Sequence, residues 1–364
     1  MGRRHFLPAL VVAPLLATIL MVGCKDGKSG TGGGSDGDKR VSGGGATFVD
    51  PIMQKWSAEY KAVSGTEIDY SKSGSSDGIK QMTEKSLDFG CSDAPMKKDQ
   101  VEAAAAKGGE VVHVPLIMGA VAVVYNLPNV PTLKLSGPVI ADIYLGKIDK
   151  WNAEPIKALN AGVELPDLKI IPVYRQEGSG TTNIFTEYLN KVSPDFADKI
   201  PASTSPTWPK IGLAQRGSDG IAAHVKQNVG CIGYVEVSYA KMNDIRTAQV
   251  QNAKGTFVAP EGAAVTAAGE WALTQKQTKA PYSLHELTYS LTNAEAEKAY
   301  PICGISYGLL YKKQSGAKAK RLVEFLKWAT SDGQTFATEL HYAPLPAELG
   351  KKVAERLKQI EFTD

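Results

Sequence analysis

Several features that mark common protein classes are scarce in this sequence or missing from it. Of 364 residues, 4 are cysteine and 5 are histidine, and no cysteine pair or cysteine–histidine pair has the spacing of metal ligands, so we expect no metal site. Lysine plus arginine (41) barely exceeds aspartate plus glutamate (38), which argues against a broadly basic face that binds nucleic acid. Charged residues make up 22% and apolar residues 43%, which excludes collagen, coiled coils and polytopic membrane proteins. No cofactor is expected.

The first residues are typical of an export signal. Arg3 and Arg4 precede an apolar stretch over 6–22 that contains two prolines and ends before Cys24. A positive start, a short apolar run and small residues before the cut describe a signal peptide, and a cysteine after Val-Gly resembles the lipobox of bacterial lipoproteins. We predict a signal peptide over 1–23 and a lipid on Cys24 that holds the chain at a bacterial membrane. An uncleaved anchor is the alternative, but the run is short and its prolines disfavour a spanning helix.

Residues 24–40 contain mainly glycine, serine, aspartate and lysine, and we predict that they form a flexible tether. Three cysteines follow it, namely Cys91, Cys231 and Cys303. An odd number leaves at least one free thiol or an intermolecular partner, and three pairings remain open for a single disulfide.

Strand-like apolar runs alternate with helix-like segments along the mature chain, which is the α/β pattern. Strands are predicted over 67–70, 111–114, 120–125, 170–174, 232–235 and 307–311. Asp50 before Pro51 is typical of a capped helix start. A second helix is predicted where apolar residues at 322, 325, 326 and 329 form one stripe, which stops before Gly333. We find no repeat and no break in composition between domains.

Glycine and small hydroxyl residues precede a predicted helix in four segments: 43–48, 74–78, 178–182 and 217–220. A helix start presents unpaired N–H groups and the positive end of its dipole, and glycine lets a ligand approach closely. Several such starts together would bind an oxyanion, whereas each alone is better explained as a cap. Arg175, just before the third segment, adds a planar charged donor that suits phosphate oxygens.

The second of these segments also supports a rival hypothesis. Gly74-Ser75-Ser76-Asp77-Gly78 matches the G-x-S-x-G pattern of a hydrolase nucleophile. Ser76 would then be the nucleophile of a secreted hydrolase, with His224, His285 or His341 as its base.

Taken together, motifs spread over the mature chain resemble one family, the phosphate-binding proteins that serve the bacterial phosphate ABC transporter. The matching stretches, in family order, are 44–48, 74–76, 88–95, 142–151, Arg175 with 178–181, 220–223, 233–236 and 342–346.

The resemblance implies a two-lobed α/β fold of the periplasmic binding proteins, in which each lobe has a central sheet flanked by helices and the anion lies in the cleft. The lobe boundaries are predicted at 41–116 for lobe 1, 117–305 for lobe 2 and 306–364 for the return to lobe 1. The residues that correspond to the binding site are Thr47, Phe48, Ser75, Asp93, Arg175, Ser179, Gly180 and Thr181. Arg175 would carry the positive charge, and Asp93 would accept a proton from phosphate and so reject sulfate.

Three positions depart from the family pattern. Glu177 stands where aspartate is usual, Asp77 where glycine is usual, and Cys91 where a small residue is usual. The first two put tight binding in question, because the longer carboxylate of Glu177 could position Arg175 differently and Asp77 adds negative charge near the second segment unless it points to solvent.

The resemblance therefore predicts a monomeric, lipid-anchored extracytoplasmic protein that is not an enzyme. It would bind inorganic phosphate and deliver it to the permease subunits of an ABC transporter, without contact to nucleic acid. The alternatives are the hydrolase and a surface adhesion protein on the same scaffold.

Overall fold

The computed structural model describes residues 2, 39–277 and 279–363. Apart from Gly2, the predicted signal peptide lies outside the described residues, as do Cys24 and the tether as far as residue 38. The first strand begins at Arg40, the last residue of the predicted tether. Among the described helices, none combines the length and the apolar character needed to cross a membrane.

Strands and helices alternate as the apolar pattern predicts. The strands are β1 Arg40–Gly45, β2 Glu67–Lys72, β3 Phe89–Ser92, β4 Val111–Tyr125, β5 Lys134–Leu135, β6 Ile171–Arg175, β7 Leu213–Gln215, β8 Cys231–Glu236, β9 Arg246–Thr247, β10 Gln249–Gln251, β11 Phe257–Val258, β12 Cys303–Tyr311, β13 Lys313–Ser315 and β14 Glu361–Thr363. The helices are α1 Asp50–Ser64, α2 Ser75–Thr83, α3 Lys98–Gly108, α4 Gly137–Tyr144, α5 Glu154–Lys157, α6 Gly180–Val192, α7 Pro194–Lys199, α8 Gly217–Gln227, α9 Val237–Met242, α10 Gly262–Thr274, α11 Gly316–Ala329 and α12 Ala347–Lys358.

Within the described residues, a nine-stranded sheet has the order β2-β1-β3-β12-β4-β8-β6-β7, with β9 also paired to β4. Its first half contains the parallel strands β2, β1 and β3, against which α1, α2 and α11 pack. Its second half contains the parallel strands β8, β6 and β7, with α6 and α8 packed on them. The antiparallel pair β4 and β12 connects the two halves. The α/β class is confirmed.

The central strand differs from the prediction, because 111–114 and 120–125 belong to one strand, β4, instead of two. Every residue of β4 is buried, and pairing with β12 continues through Pro115 and Gly119, so neither residue ends the strand. The register between β4 and β12 shifts once, between Ser306 and Tyr307, and leaves Leu116 without an opposite residue. Such a bulge bends the strand where the two halves meet.

The predicted helix signals hold with one change. The apolar stripe at 322, 325, 326 and 329 lies on α11, which ends at Ala329 as expected. Asp50, however, is the first residue of α1, and its side chain accepts no hydrogen bond from the backbone N–H groups of the helix start. Its carboxylate instead accepts a hydrogen bond from the Gln54 side chain and forms an ion pair with Lys72.

A carboxyl group lies buried at the end of β8. Glu236 is fully buried; its Oε2 accepts the N–H of Ser238 at 2.8 Å, and its Oε1 has no hydrogen-bond partner among the described residues. Burial raises the pKa of Glu236 from 4.5 to about 8, although hydrogen bonding from Ser238 opposes the shift. The group is therefore protonated in the folded protein at neutral pH.

This burial predicts a pH-dependent effect of Glu236→Gln. Because the folded pKa exceeds the ordinary value, the folded state retains a proton that the unfolded state loses between about pH 4.5 and 8, so wild-type stability falls as pH rises through that window. Glutamine cannot ionise, so the variant should be more stable than the wild type at pH 9, by up to about 5 kcal/mol, and similar at pH 5. Urea unfolding at pH 5, 7 and 9 measures this. Glu102→Gln, at an exposed site, is the control, and a difference that is constant with pH would contradict the assignment.

Candidate anion-binding site

The predicted site residues follow the carboxyl ends of parallel strands. Thr47, Ser75 and Asp93 come directly after β1, β2 and β3 in the first half of the sheet. In the second half, Arg175 is the last residue of β6 and Ser218 comes shortly after β7. Ligands of open α/β sheets bind beyond these strand ends, so the topology gathers the residues of distant segments at one place.

The N-termini of α2 and α6 meet there. The backbone N–H of Gly180, the first residue of α6, donates to Ser75 Oγ at 2.9 Å, and Ser75 is the first residue of α2. Ser179 is the N-cap of α6, and its Oγ accepts the N–H of Thr182 at 3.2 Å. The positive ends of two helix dipoles therefore meet at one buried contact.

Two glycines make this approach possible. A Cβ on Gly180 would lie 2.5 Å from Ser75 Oγ and 2.7 Å from the backbone nitrogen of Asp93. A Cβ on Gly178 would lie 2.2 Å from Ser76 Oγ. Any side chain at either position would force α2 and α6 apart.

Asp93 is the buried acid of the site, with 4% of its surface exposed. Its Oδ1 accepts from Ser306 Oγ at 2.8 Å and its Oδ2 from Ser75 Oγ at 3.3 Å. Burial raises the pKa of Asp93 to about 7; the hydrogen bond from Ser306, the charge of Arg175 and the hydrogen bond from Ser75 oppose the shift. Both protonation states of this carboxyl are accessible near neutral pH.

Arg175 is the buried cation of the site, with 5% of its surface exposed. Its Nε donates to Glu177 Oε1 at 2.7 Å, and its Nη2 donates to the same oxygen. Both oxygens of Glu177 accept the N–H of Gly217, at 3.1 and 3.3 Å. The longer acid at position 177 thus pairs with Arg175 and also holds the start of α8. The remaining nitrogen, Nη1, donates to Ser218 Oγ at 3.4 Å.

Thr47 and Phe48 lie just before α1, which begins at Asp50. Thr47 Oγ1 lies 2.9 Å from Ser218 Oγ, and its carbonyl accepts from Tyr239 Oη at 2.7 Å. Phe48 is fully buried, and its carbonyl accepts from Tyr342. In α6, Thr181 Oγ1 is buried without a hydrogen-bond partner among the described residues, so it is free to donate to a ligand.

The structure brings the predicted residues together and adds two. Ser306 had no local signal, because it reaches Asp93 through the antiparallel pairing of β12 with β3. Ser218 lies in the fourth glycine and hydroxyl segment, but nothing local showed its contact with Thr47. Asp77 accepts a hydrogen bond from Gln81 on its own helix, and its carboxylate forms no hydrogen bond or ion pair with the predicted site residues within the described part of the chain.

The arrangement that a hydrolase needs is not formed in the described part of the chain. Ser76 Oγ donates to Thr204 Oγ1 at 3.1 Å and has no histidine partner there. The ring of His224 contacts Gln215 at the end of β7, and the ring of His285 contacts the adjacent residue Glu286. The described residues include no cluster of histidine, cysteine and acidic side chains suited to a metal.

Cys91, Cys231 and Cys303 are all free and buried. Burial raises the pKa of each thiol, that of Cys231 to about 11. Buried thiols that remain protonated pack as small apolar groups.

Comparisons with known proteins identify the family of this chain. A sequence model of the PBP superfamily domain matches residues 29–333. The phosphate-binding protein PstS of Xylella fastidiosa strain 9a5c is 37% identical over 359 residues, which cover 93% of this chain and 94% of that protein. PstS of Haemophilus influenzae is 37% identical over 321 residues, or 87% and 92% of the two chains.

Solved structures show the same fold at lower identity. The phosphate-binding protein from Stenotrophomonas maltophilia is 19% identical with a TM-score of 0.68, over 87% of this chain and 93% of that one. A periplasmic phosphate-binding protein of the DING type, bound with phosphate, has a TM-score of 0.69 at 20% identity, over the same shares. The predicted two-lobed α/β fold is confirmed. The chain belongs to the PBP superfamily and, within it, to the family of the phosphate-binding protein PstS.

Proposed function

We propose that this protein binds inorganic phosphate between its two lobes and delivers it to the permease subunits of an ABC transporter. The observation that carries the proposal is the buried contact between two helix N-termini, with Arg175 and Asp93 buried beside it. Its donors are hydroxyls, backbone N–H groups and one guanidinium, the set that binds an oxyanion. Relatives that are named for phosphate binding support the same ligand. The chain acts as a binding protein and catalyses no reaction.

Each predicted residue has a role in this proposal. Backbone N–H groups and hydroxyls of both halves donate to the phosphate oxygens, and Arg175 adds a charged donor that Glu177 holds in place. The donors would be Thr47, Phe48, Ser75, Ser179, Gly180 and Thr181. The N–H of Gly180 and the hydroxyl of Ser75, which bond to Ser75 Oγ and Asp93 here, would turn to the anion when it binds.

Asp93 supplies selectivity. Phosphate retains at least one proton near neutral pH and can donate it to a carboxylate, whereas sulfate is fully ionised and cannot. Sulfate would therefore place two negative charges together in a dry site, at a cost of several kcal/mol. A difference of about 5.5 kcal/mol corresponds to a ~10⁴-fold difference in affinity.

Closure of the lobes would trap the ion. We place the lobe boundaries near Leu116 and Ser306, so that 41–116 and 306–364 form lobe 1 and 117–305 form lobe 2. The bulge between β4 and β12 at these two residues supports this placement, because a bulge is a point where paired strands bend.

The N-terminal segment would anchor the protein outside the cytoplasm. After removal of residues 1–23, a lipid on Cys24 would hold the chain at a bacterial membrane, and residues beyond it would act as the tether. The protein would work as a monomer beside its permease.

Titration calorimetry of the anion-free mature chain tests ligand and selectivity together. We expect one-to-one phosphate binding and no sulfate response from the wild type. Asp93→Asn should retain phosphate binding and bind sulfate at least ~100-fold more tightly than the wild type, because the repelling charge is gone. Asp77→Asn, whose carboxyl bonds Gln81, is the control and should still reject sulfate. Absence of phosphate binding would refute the proposed function, and continued sulfate rejection by Asp93→Asn would refute the role of Asp93.

Ser76→Ala separates binding from hydrolysis. Its hydroxyl makes one hydrogen bond, to Thr204, so the loss should cost about 1 kcal/mol or less and weaken phosphate binding by no more than about fivefold. Neither the wild type nor the variant should hydrolyse p-nitrophenyl acetate or p-nitrophenyl phosphate. Turnover by the wild type that disappears in Ser76→Ala would show the hydrolase instead.

Cys24→Ser tests the anchor. The full-length wild type, expressed in a bacterial host, should incorporate labelled palmitate and sediment with membranes, and the variant should do neither. Cys231→Ser, which alters a buried thiol, is the control and should still be labelled. Equal labelling of wild type and Cys24→Ser would refute lipidation at this residue.

A further inference from the structure

Ser218 joins two of the proposed phosphate ligands. It is fully buried at the start of α8, and its Oγ lies 3.4 Å from Arg175 Nη1 and 2.9 Å from Thr47 Oγ1. Arg175 and Ser218 come from the second half of the sheet and Thr47 from the first. We call this chain of three side chains the hydroxyl relay.

The chemistry of the three groups fixes the direction of the relay. A guanidinium only donates, so Ser218 must accept from Arg175. Ser218 has one proton of its own, and Thr47 is the other hydrogen-bond partner of its Oγ among the described residues. If Ser218 accepted from Thr47 as well, its own proton would be buried without an acceptor, which is costly.

Ser218 therefore donates to Thr47, and the proton of Thr47 must find another acceptor. With an anion in the site, the order from Arg175 to Ser218 to Thr47 to the anion gives every one of these protons an acceptor. In that order Thr47 is a donor with a fixed orientation.

Glu177 keeps the relay in this geometry. It accepts from Nε and Nη2 of Arg175, which leaves Nη1 for Ser218. The same carboxylate accepts the N–H of Gly217 and so fixes the residue next to Ser218. Hydrogen bonds in such a buried chain polarise and strengthen one another.

We propose that Ser218 is a positioning residue for the anion, which turns the hydroxyl of Thr47 into an oriented donor through the Arg175–Ser218–Thr47 relay. This inference rests on the proposed function, because it assumes that the site holds phosphate. The relay spans both lobes and is complete only when they close. Its loss therefore speeds release of phosphate and leaves association unchanged.

Stopped-flow and calorimetric measurements on Ser218→Ala test the relay. We expect phosphate Kd to rise about tenfold, the effect of about one lost hydrogen bond to a charged group, entirely through faster dissociation. In Ser218→Cys the thiol has nearly the volume of the hydroxyl group but forms only weak hydrogen bonds, so phosphate dissociation should be faster to the same extent. This variant also tests the relay if Ser218→Ala fails to fold. Ser218→Thr retains the hydroxyl and should restore slow dissociation. Ser193→Ala removes another buried capping hydroxyl, remote from the relay, and should leave dissociation unchanged.

A double-mutant cycle with Thr47→Val shows whether Ser218 acts through Thr47. In the valine background, Ser218→Ala should change the dissociation rate less than twofold. An equal effect in both backgrounds, or unchanged dissociation in Ser218→Ala and Ser218→Cys, would overturn the relay. Failure of the wild type to bind phosphate is a different result, since it refutes the proposed function itself.

Discussion

The site depends on an electrostatic constraint: the N-termini of α2 and α6 meet at a buried contact. Both ends carry partial positive charge, and like ends repel. Ser75 Oγ relieves part of this strain by accepting the N–H groups of Gly180 and Asp93, at 2.9 and 3.2 Å. An anion beside these helix ends would offset the remaining repulsion.

Formal charges contribute little to that complementarity. Arg175 is paired with Glu177, and Asp93 is near its pKa at neutral pH because it is buried. An anion in this site is therefore stabilised by dipoles, hydroxyls and one shared guanidinium. Such a site holds a negative ion without a surface rich in lysine, which agrees with the small net charge of +3 over the whole sequence.

The sequence predicted what is encoded locally. Helix starts at Ser75 and Gly180 follow from glycine and hydroxyl residues within a few positions. Ser306 next to Asp93 was not predictable, because the contact spans 213 positions and arises from the antiparallel placement of β12. The single strand β4 was missed for a similar reason: pairing with β12 carries it across Pro115, which local propensity treats as a break.

The glycines of the third segment show how a motif encodes contact between distant parts of the chain. Gly178 leaves room for Ser76, and Gly180 leaves room for Ser75. Residues 74–76 and residues 178–180 thus pack against each other in one contact. A hydrogen bond from the N–H of Ser76 to the carbonyl of Gly178, at 3.1 Å, also joins them. This contact also explains why the G-x-S-x-G pattern misleads. Its second serine faces a glycine carbonyl and Thr204 of the other half, where a hydrolase nucleophile would need a histidine.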